Sequence, residues 1–263
     1  MKKIQICLVF LAILMAQEVF AQNKLKREIS VFAMPMVASR FLTVKSVPDG
    51  YQGSSANFED SLSTADFPKL ALGGGVGLSF YKDVYSRFEI GLRYSDQGFI
   101  REKADLGFGE LIHEEIGPVK DLSQTGSPKD VHFYYRFQYL QIPIMYHFAP
   151  YAVKQSNKFD FYMTTGISAN ILMNHTVKAK YQGWTAYGKE KENISKHKYD
   201  PAPANLNLHF GFRLHYNVDS RTEVLISPAL GMSVLNANNG NERYRLWDLS
   251  VPIGFVYKLG KDG

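Results

Sequence analysis

The sequence has almost no cysteine. Its 263 residues include one, Cys7, which lies in an N-terminal segment that we expect to be removed on export. The remaining chain would then have none, which excludes disulfide bonds, thiolate metal sites and cysteine nucleophiles. An exported chain of this size must obtain its stability by other means, and a closed β-sheet is one candidate.

The N-terminal segment has the features of a secretory signal. Lys2 and Lys3 are followed by an apolar run over residues 4–16, and Val19-Phe20-Ala21 is a small-x-small cleavage pattern. The apolar run is shorter than the roughly 18 to 20 residues that a membrane-spanning helix needs. We therefore predict a signal peptide over residues 1–21, followed by one domain over residues 22–263.

The chain also lacks a later apolar run of transmembrane-helix length and a large excess of one charge. Its formal charge is +5, and its basic residues are interspersed with acidic ones, so we expect no nucleic-acid partner. Aromatic residues are abundant at 14%, with 16 Tyr and 18 Phe. This composition suits β-strands and the aromatic girdles of an outer-membrane barrel.

Apolar and polar residues alternate with a period of two. The segment 205–218 (NLNLHFGFRLHYNV) alternates over its whole length, which indicates a strand. Strands of soluble proteins usually have about five or six residues, whereas tilted membrane strands need about nine to eleven. Seven other segments complete a set of eight predicted strands: 29–37, 69–82, 85–100, 132–148, 159–173, 222–234 and 245–257.

Two of these strands are hard to phase. Residues 29–37 are apolar on both faces, and no inward face can be assigned. In residues 132–148 the alternation changes phase, which predicts that Phe133, Tyr135 and Phe137 face lipid and that a bulge lies near Tyr139 and Leu140.

Prolines stand at three strand positions where a ladder donor is expected: Pro143, Pro228 and Pro252. Proline argues against a central strand. We predict bulges or positions near the rim there.

The content of the polar faces indicates which side meets lipid. These faces are rich in Gly, Ser, Thr, Asn and Tyr and poor in Lys, which is unlike a solvated surface. We predict that they line the inside of the barrel and that their charged side chains form a polar network in the lumen. Its predicted members are Arg87, Glu89, Arg93, Asp160, Arg213, Glu223 and Asp248.

The predicted connections alternate in length. Long connections cover residues 38–68, 101–130 and 175–204, whereas tight turns cover 82–84 and 219–220. Outer-membrane barrels have short periplasmic turns and long extracellular loops. The sequence therefore predicts an all-β fold, a single antiparallel up-and-down transmembrane β-barrel of about eight strands in the outer membrane.

Two segments resemble a known family. Y-L-Q-I-P-I-M-Y-H-F at 139–148 resembles the Y-L-x-I-P strand of the outer-membrane β-barrel family of Bacteroidota, which includes the PorT-like proteins. E-I-G-L-R-Y-S-D-Q-G-F at 89–99 resembles that family's preceding strand, G-L-x-Y-S-x-x-G-F, and Gln22 after the cleavage site is usual for the phylum. The polar tail at 258–263 departs from the aromatic C-terminus of many such barrels. The resemblance implies fold and location, and one relative takes part in protein secretion.

The sequence does not single out a catalytic set. His209 and His215 share the polar face of one strand, but six residues of strand separate them by about 20 Å, too far to share a metal ion. We expect no enzyme activity and no cofactor, and a barrel with a structural, binding or secretion-associated role. Expected partners are outer-membrane lipid, lipopolysaccharide and an envelope or secretion protein.

Two alternative functions stay open. A narrow channel or small-ligand transporter would require more strands or a gap in the Arg87–Glu89–Arg213 network. A lipid-modifying enzyme would require a Ser or Asp within hydrogen-bond reach of His209 or His215. In the loop 178–198, lysines and aromatic residues are interleaved. That loop is either a lipopolysaccharide- or partner-binding surface or an ordinary exposed loop.

Overall fold

A computed structural model describes residues 25–45, 57, 65–81, 83, 85–106, 112–113, 117–118, 129–150, 158–181, 201–239 and 242–259. The predicted signal peptide and most of the loop 178–198 lie outside these residues. No helix among them is long and apolar enough to cross a membrane.

The described residues form strands that close into a ring. The strands are β1 (Lys26–Val44), β2 (Asp66–Tyr81), β3 (Ser86–Leu106), β4 (Ile112–His113), β5 (Gly117–Pro118), β6 (Lys129–Phe148), β7 (Phe159–Tyr181), β8 (Ala204–Asn217), β9 (Thr222–Ile226), β10 (Ala229–Ser233), β11 (Glu242–Ser250) and β12 (Ile253–Leu259). Ten of them form one antiparallel sheet, which the β1–β2 and β8–β10 pairings close, while β4 and β5 pair separately.

Two of the barrel's strands are interrupted. β9 and β10 pair with β8 in one continuous register, and β11 and β12 do the same with β1. Each pair is therefore one strand with a break, and the ring has eight strand positions. The predicted fold class is confirmed.

Prolines explain the breaks. Pro228 lies between β9 and β10, Pro252 lies between β11 and β12, and Pro35 of β1 faces Val251. Each proline carbonyl accepts a backbone hydrogen bond from the neighbouring strand, but its nitrogen cannot return one. The hydroxyl of Ser227 donates instead to the carbonyl of Phe212, at 3.0 Å. We call Pro35, Pro228 and Pro252 the proline seam.

Pro143 is accommodated differently. It stays inside β6, where it pairs with Ser168 of β7. The register between β3 and β6 has a gap opposite it, at Gly91 and Leu92. The strand accommodates the pyrrolidine ring of Pro143 because ladder pairing is lost on only one side, towards β3.

Burial is reversed relative to a soluble protein. Leu70, Leu72 and Phe255 point outward and are 82%, 63% and 64% exposed, whereas Glu223 and Asn207 point inward and are fully buried. An apolar outer surface around a polar interior is the arrangement of a membrane barrel. The predicted assignment of the apolar faces to lipid is therefore correct for most of the wall.

The strands β3, β6 and β7 have 21, 20 and 23 residues, more than the about nine to eleven that cross a bilayer. They continue past the ends predicted from alternation, since their outward residues there are polar. Glu102 of β3 and Asn174 of β7 are examples, and Oε1 of Glu102 lies 4.0 Å from Nε2 of His132 on β6. Hydropathy alternation disappears where both faces of a strand carry polar groups.

The phase predicted for β6 is wrong. Phe133, Tyr135 and Phe137 are buried in the lumen together with Tyr139, and the inward positions of β6 continue without interruption to His147. The irregularity lies in the neighbouring strand, since Gln138 pairs with Asn174 whereas Tyr139 pairs with Leu172. The extra residue is Met173 of β7, and the buried positions of β7 change from even to odd numbers there.

The two rims of the barrel differ. At the short-turn rim, β2 is joined to β3, β6 to β7 and β8 to β9, and the strand ends Lys26 and Leu259 also lie there. At the long-loop rim, the connections cover residues 45–65, 107–128, 182–203 and 234–241. This asymmetry is the one that the sequence predicts.

Candidate functional site in the barrel lumen

The seven predicted lumen residues all lie on the inner side of the wall. They fall into three groups along the barrel axis. Arg87, Asp160 and Glu223 lie near the short-turn rim, Glu89, Arg93 and Arg213 lie further in, and Asp248 lies apart from both.

The group nearest the short-turn rim is centred on Arg87. Its guanidinium pairs with Glu28 and lies 3.7 Å from Glu223. It also lies over the rings of Tyr81 and Tyr162, at 4.9 and 4.7 Å from their centres. Aromatic rings attract a guanidinium while carboxylates neutralise it. Arg87 is therefore the centre of the contacts at this end of the lumen.

Glu223 ties this group to two further strands. Its carboxylate contacts His215 of β8 and lies 2.6 Å from the ammonium of Lys258 on β12. Asp160 of β7 lies 3.9 Å from Arg87 at the edge of the group. The group therefore includes Glu28, His215 and Lys258, which the predicted network omits.

Glu89 is the centre of the second group. Its carboxylate accepts hydrogen bonds from Arg213 at 2.6 Å and from Arg93 at 3.2 Å. Arg213 also donates to His147, at 2.6 Å, and His147 shares a hydrogen bond of 2.9 Å with Thr164. A cavity of about 20 Å³ beside these residues is large enough for about one water molecule.

Asp248 belongs to a layer of uncharged polar groups. Its carboxylate accepts a hydrogen bond of 2.6 Å from Gln97. Gly231 makes room for it, since a methyl group at that position would lie 2.6 Å from its Oδ2. Within the described residues, Asp248 forms no ion pair.

The wall also carries apolar side chains into the lumen. Phe32, Met34 and Met36 of β1 pack with Leu225 and Val256. The alternation of residues 29–37 does not reveal this, because inward and outward positions of β1 are both apolar. The even-numbered residues, from Glu28 to Met36, are those that point inward.

An aromatic cluster fills the lumen near the long-loop rim. Phe99 stacks on Tyr135 with ring centres 4.3 Å apart, and the guanidinium of Arg40 lies 4.0 Å from Phe99 and 4.2 Å from Tyr244. Sequence reasoning missed this cluster because inward aromatic residues give the same alternation as lipid-facing ones.

Four charged side chains lie at the same end of the lumen, near the long-loop rim. Asp66 pairs with Arg40 and lies 3.1 Å from Arg101, which also lies 3.1 Å from Glu242. Four strands, β1, β2, β3 and β11, contribute these four residues. Arg101 is fully buried, so the charges are shielded from solvent and bind one another.

A serine–histidine contact meets the geometric condition for the alternative lipid-modifying enzyme. Ser168 Oγ and His209 Nε2 share a hydrogen bond of 2.8 Å, and Ser168 donates another of 2.8 Å to Asn170. Ser168 has no exposed surface. A lipid ester cannot reach its hydroxyl in this conformation. The partner of His215 is a carboxylate, Glu223, and not a serine.

In the described part of the chain, no three His, Cys, Asp or Glu side chains come together in a way that could hold a metal ion. Most charged groups of the lumen form ion pairs with one another. Their chemical effect is to hold opposite walls of the barrel together.

A model of the outer membrane protein β-barrel domain matches residues 20–263. The chain belongs to this family. As a member, it is an outer membrane protein, and the predicted location is confirmed.

Solved structures similar to this outer membrane barrel include Neisserial surface protein A, at 10% identity and a TM-score of 0.41, covering 89% of this chain and 97% of that one. The outer membrane protease OmpT from Escherichia coli has 10% identity and a TM-score of 0.39, with 90% and 97% covered. The attachment invasion locus protein Ail of Yersinia pestis has 8% identity and a TM-score of 0.34, with 89% and 99% covered. No curated protein matches the sequence.

Proposed function

We propose that this protein is a closed outer membrane barrel that acts through its long loops, as a structural, binding or secretion-associated component of the envelope. The observation that carries this proposal is the filling of the lumen. The Arg87 group, the Glu89 group, the apolar cluster of β1 and the aromatic cluster around Arg40 occupy it between the two rims.

The energetics favour a permanently closed lumen. A barrel of about eight strands has an interior only just wide enough for side chains. A solute path would have to separate buried ion pairs, and each separated charge would lose the partner that compensates it. The cavity beside Glu89 has room for about one water molecule.

The proposal includes an orientation and a narrower family. The short-turn rim faces the periplasm and the long-loop rim faces the exterior, in accord with barrels of this kind. The motifs at residues 89–99 and 139–148 support a PorT-like barrel of Bacteroidota, exported through a signal peptide over residues 1–21. A secretion or envelope protein is the partner that this family suggests.

Single-channel recording tests the closed lumen. The refolded protein, checked by its heat-dependent mobility in SDS gels, would be inserted in planar bilayers beside a general porin as the positive control. We expect no discrete conductance steps from this protein. Reproducible steps that scale with its amount would overturn the proposal and favour the narrow channel.

The Ser168–His209 contact keeps the lipid-modifying enzyme as a second candidate. The test is release of fatty acid from labelled phospholipid and lipopolysaccharide by the wild type and by Ser168→Ala. We expect no release from either protein. Release by the wild type that Ser168→Ala abolishes would establish the enzyme, and release that persists would indicate contamination.

A further inference from the structure

One outward column of side chains crosses the membrane face of the barrel on β11 and β12. The odd-numbered residues of both strands point outward and the even-numbered ones inward. From the short-turn rim upward, the column consists of Tyr257, Phe255, Ile253, Val251, Leu249, Trp247, Arg245 and Arg243. It begins with an aromatic residue, continues with apolar ones, and ends with a tryptophan and two arginines.

The length of this column locates the outer boundary of the bilayer. Tyr257 and Trp247 are ten residues apart in one continuous register. At about 3.3 Å per residue and a strand tilt of about 40°, this distance corresponds to about 25 Å along the membrane normal. The apolar band of outer-membrane barrels is also about 25 Å tall and has an aromatic girdle at each edge. Arg245 and Arg243 therefore lie at the level of the lipid head groups.

These two arginines differ in their ion-pair partners from the arginines of the lumen and of the wall formed by β3 and β6. Arg40, Arg87, Arg93, Arg101, Arg136 and Arg213 each pair with a carboxylate. Within the part of the chain that the structure describes, Arg243 and Arg245 form no ion pair, and Arg245 is exposed. Their cross-strand neighbours on β1 are uncharged, since Arg243 lies opposite Thr43 and Arg245 opposite Phe41.

An apolar surface lies next to the arginines. Phe41 is 53% exposed, and its ring centre lies 6.4 Å from that of Trp247. A ligand that contacts both arginines and this aromatic pair must carry an anionic head and an apolar tail. Lipid in the outer leaflet has both.

We propose that Arg243 and Arg245 bind the phosphate groups of lipid A, the anchor of lipopolysaccharide, while Phe41 and Trp247 contact its acyl chains. The guanidinium fork matches phosphate oxygens and is weakly hydrated, so arginine binds phosphate well at an interface. Two positions on the same strand face are about 7 Å apart, which lets both forks reach one phosphorylated head group. The site rests on the orientation in the proposed function, with the long-loop rim outside.

The test measures binding of lipid A to the full-length refolded barrel in detergent micelles by thermophoresis. We expect Arg243→Gln/Arg245→Gln to weaken binding about thirty-fold, since one basic residue at an anionic lipid surface is worth about five-fold. Arg243→Lys/Arg245→Lys should bind more tightly than the glutamine variant but more weakly than the wild type, because lysine keeps the charge and lacks the guanidinium fork. The matched control is Arg221→Gln, which removes an exposed arginine at the opposite rim and should leave binding unchanged.

Further ligands distinguish the sources of the signal. Dephosphorylated lipid A should bind as weakly as the double variant does to lipid A, and inorganic phosphate should not compete at millimolar concentration. Equal binding by wild type and double variant would overturn the proposal, and so would competition by inorganic phosphate, which would indicate a free-anion site.

The orientation is tested separately. Arg243→Cys should react with a membrane-impermeant maleimide on intact cells. Labelling only after lysis would reject the orientation in the proposed function. Labelling of intact cells without lipid A binding would reject the lipid site alone.

Discussion

Arg213 of β8 donates a hydrogen bond of 2.6 Å to Glu89 of β3, across the lumen and between strands that are not neighbours in the barrel. Both side chains are almost fully buried. Backbone ladders hold each strand to its two neighbours only. The Arg213–Glu89 pair is therefore a direct link across the lumen between β8 and β3, which β7 and β6 separate in the wall.

Removing Glu89 should destabilise the barrel strongly. In Glu89→Leu, Arg213 and Arg93 lose their shared carboxylate inside the wall, and we expect a loss of about 3–5 kcal/mol in the free energy of unfolding. Urea titration in detergent micelles measures it. The double variant Glu89→Leu/Arg213→Leu should recover part of the loss, because it leaves one uncompensated cation fewer. A single variant as stable as the wild type would show that the pair is not a structural link.

The inward glycines of β2 should tolerate no larger residue. A methyl group at Gly77 would lie 2.8 Å from Cδ of Glu89 and 2.6 Å from Oγ of Ser30, so the glycine gives space to the Glu89 group. We expect Gly77→Val to cost about 1–3 kcal/mol by overpacking, measured by the same titration. The control, Val76→Ile on the lipid-facing side of the same strand, should be nearly neutral. An equal effect of both changes would contradict the assignment of the faces.

Backbone amide hydrogens at the proline seam should exchange with solvent faster than those in the rest of the transmembrane wall. Three adjacent strands each lack one ladder donor there, at Pro35, Pro228 and Pro252. Hydrogen–deuterium exchange with mass spectrometry should show faster exchange in peptides over residues 225–230 and 250–254 than over 243–249. Pro228→Ala restores an N–H that can pair with Phe212, and it should slow exchange in the first peptide. Uniform protection would mean that the seam is as tightly held as the rest.

The stability of the turn at Asp219 should depend on pH. Asp219 accepts hydrogen bonds from the backbone amides of Arg221 and Thr222, at 2.7 and 2.8 Å, and these hold the pKa of its carboxyl below the ordinary 3.8. The charged form is the one that the turn favours. Its stabilising effect is therefore present above pH 4 and is lost as the pH falls through the lowered pKa.

NMR titration of the carboxyl group in micelles measures this pKa. We expect a midpoint below 3.8 in the wild type. Asp219→Asn keeps an acceptor but removes the titration, and should retain the turn at acidic pH. A midpoint at or above the ordinary value would show that the amide contacts do not persist in solution.

Much of the fold is predictable because alternation is a local property. In residues 205–218 every second side chain faces lipid, so the pattern marks the strand, its length and its face without knowledge of the neighbours. The prolines could likewise be recognised as ladder faults. The effect of each proline on its strand could not be predicted. Pro228 and Pro252 break their strands, whereas Pro143 remains inside β6. The effect depends on the pairing that the adjacent strand can accept.

The candidate lumen residues show the same contrast between what alternation predicts and what strand pairing decides. Polar inward positions such as Glu89 and Arg213 stand out beside apolar neighbours, and a polar inner face is predictable. Glu28, Arg40 and Arg101 do not stand out in this way, since they lie in strand segments whose alternation is weak or absent. Which charge pairs with which follows from the register and curvature of the closed ring.

The sequence by itself determined that the chain forms an alternating β-barrel with unequal rims, because side chains alternate across a strand whatever it pairs with. Only the tertiary structure decided that Phe133, Tyr135 and Phe137 face inward, since the one-residue shift at Met173 lies in β7 and not in β6. An apolar residue is equally compatible with lipid and with a packed lumen. The neighbouring strands decide between the two, and they are set by long-range pairing.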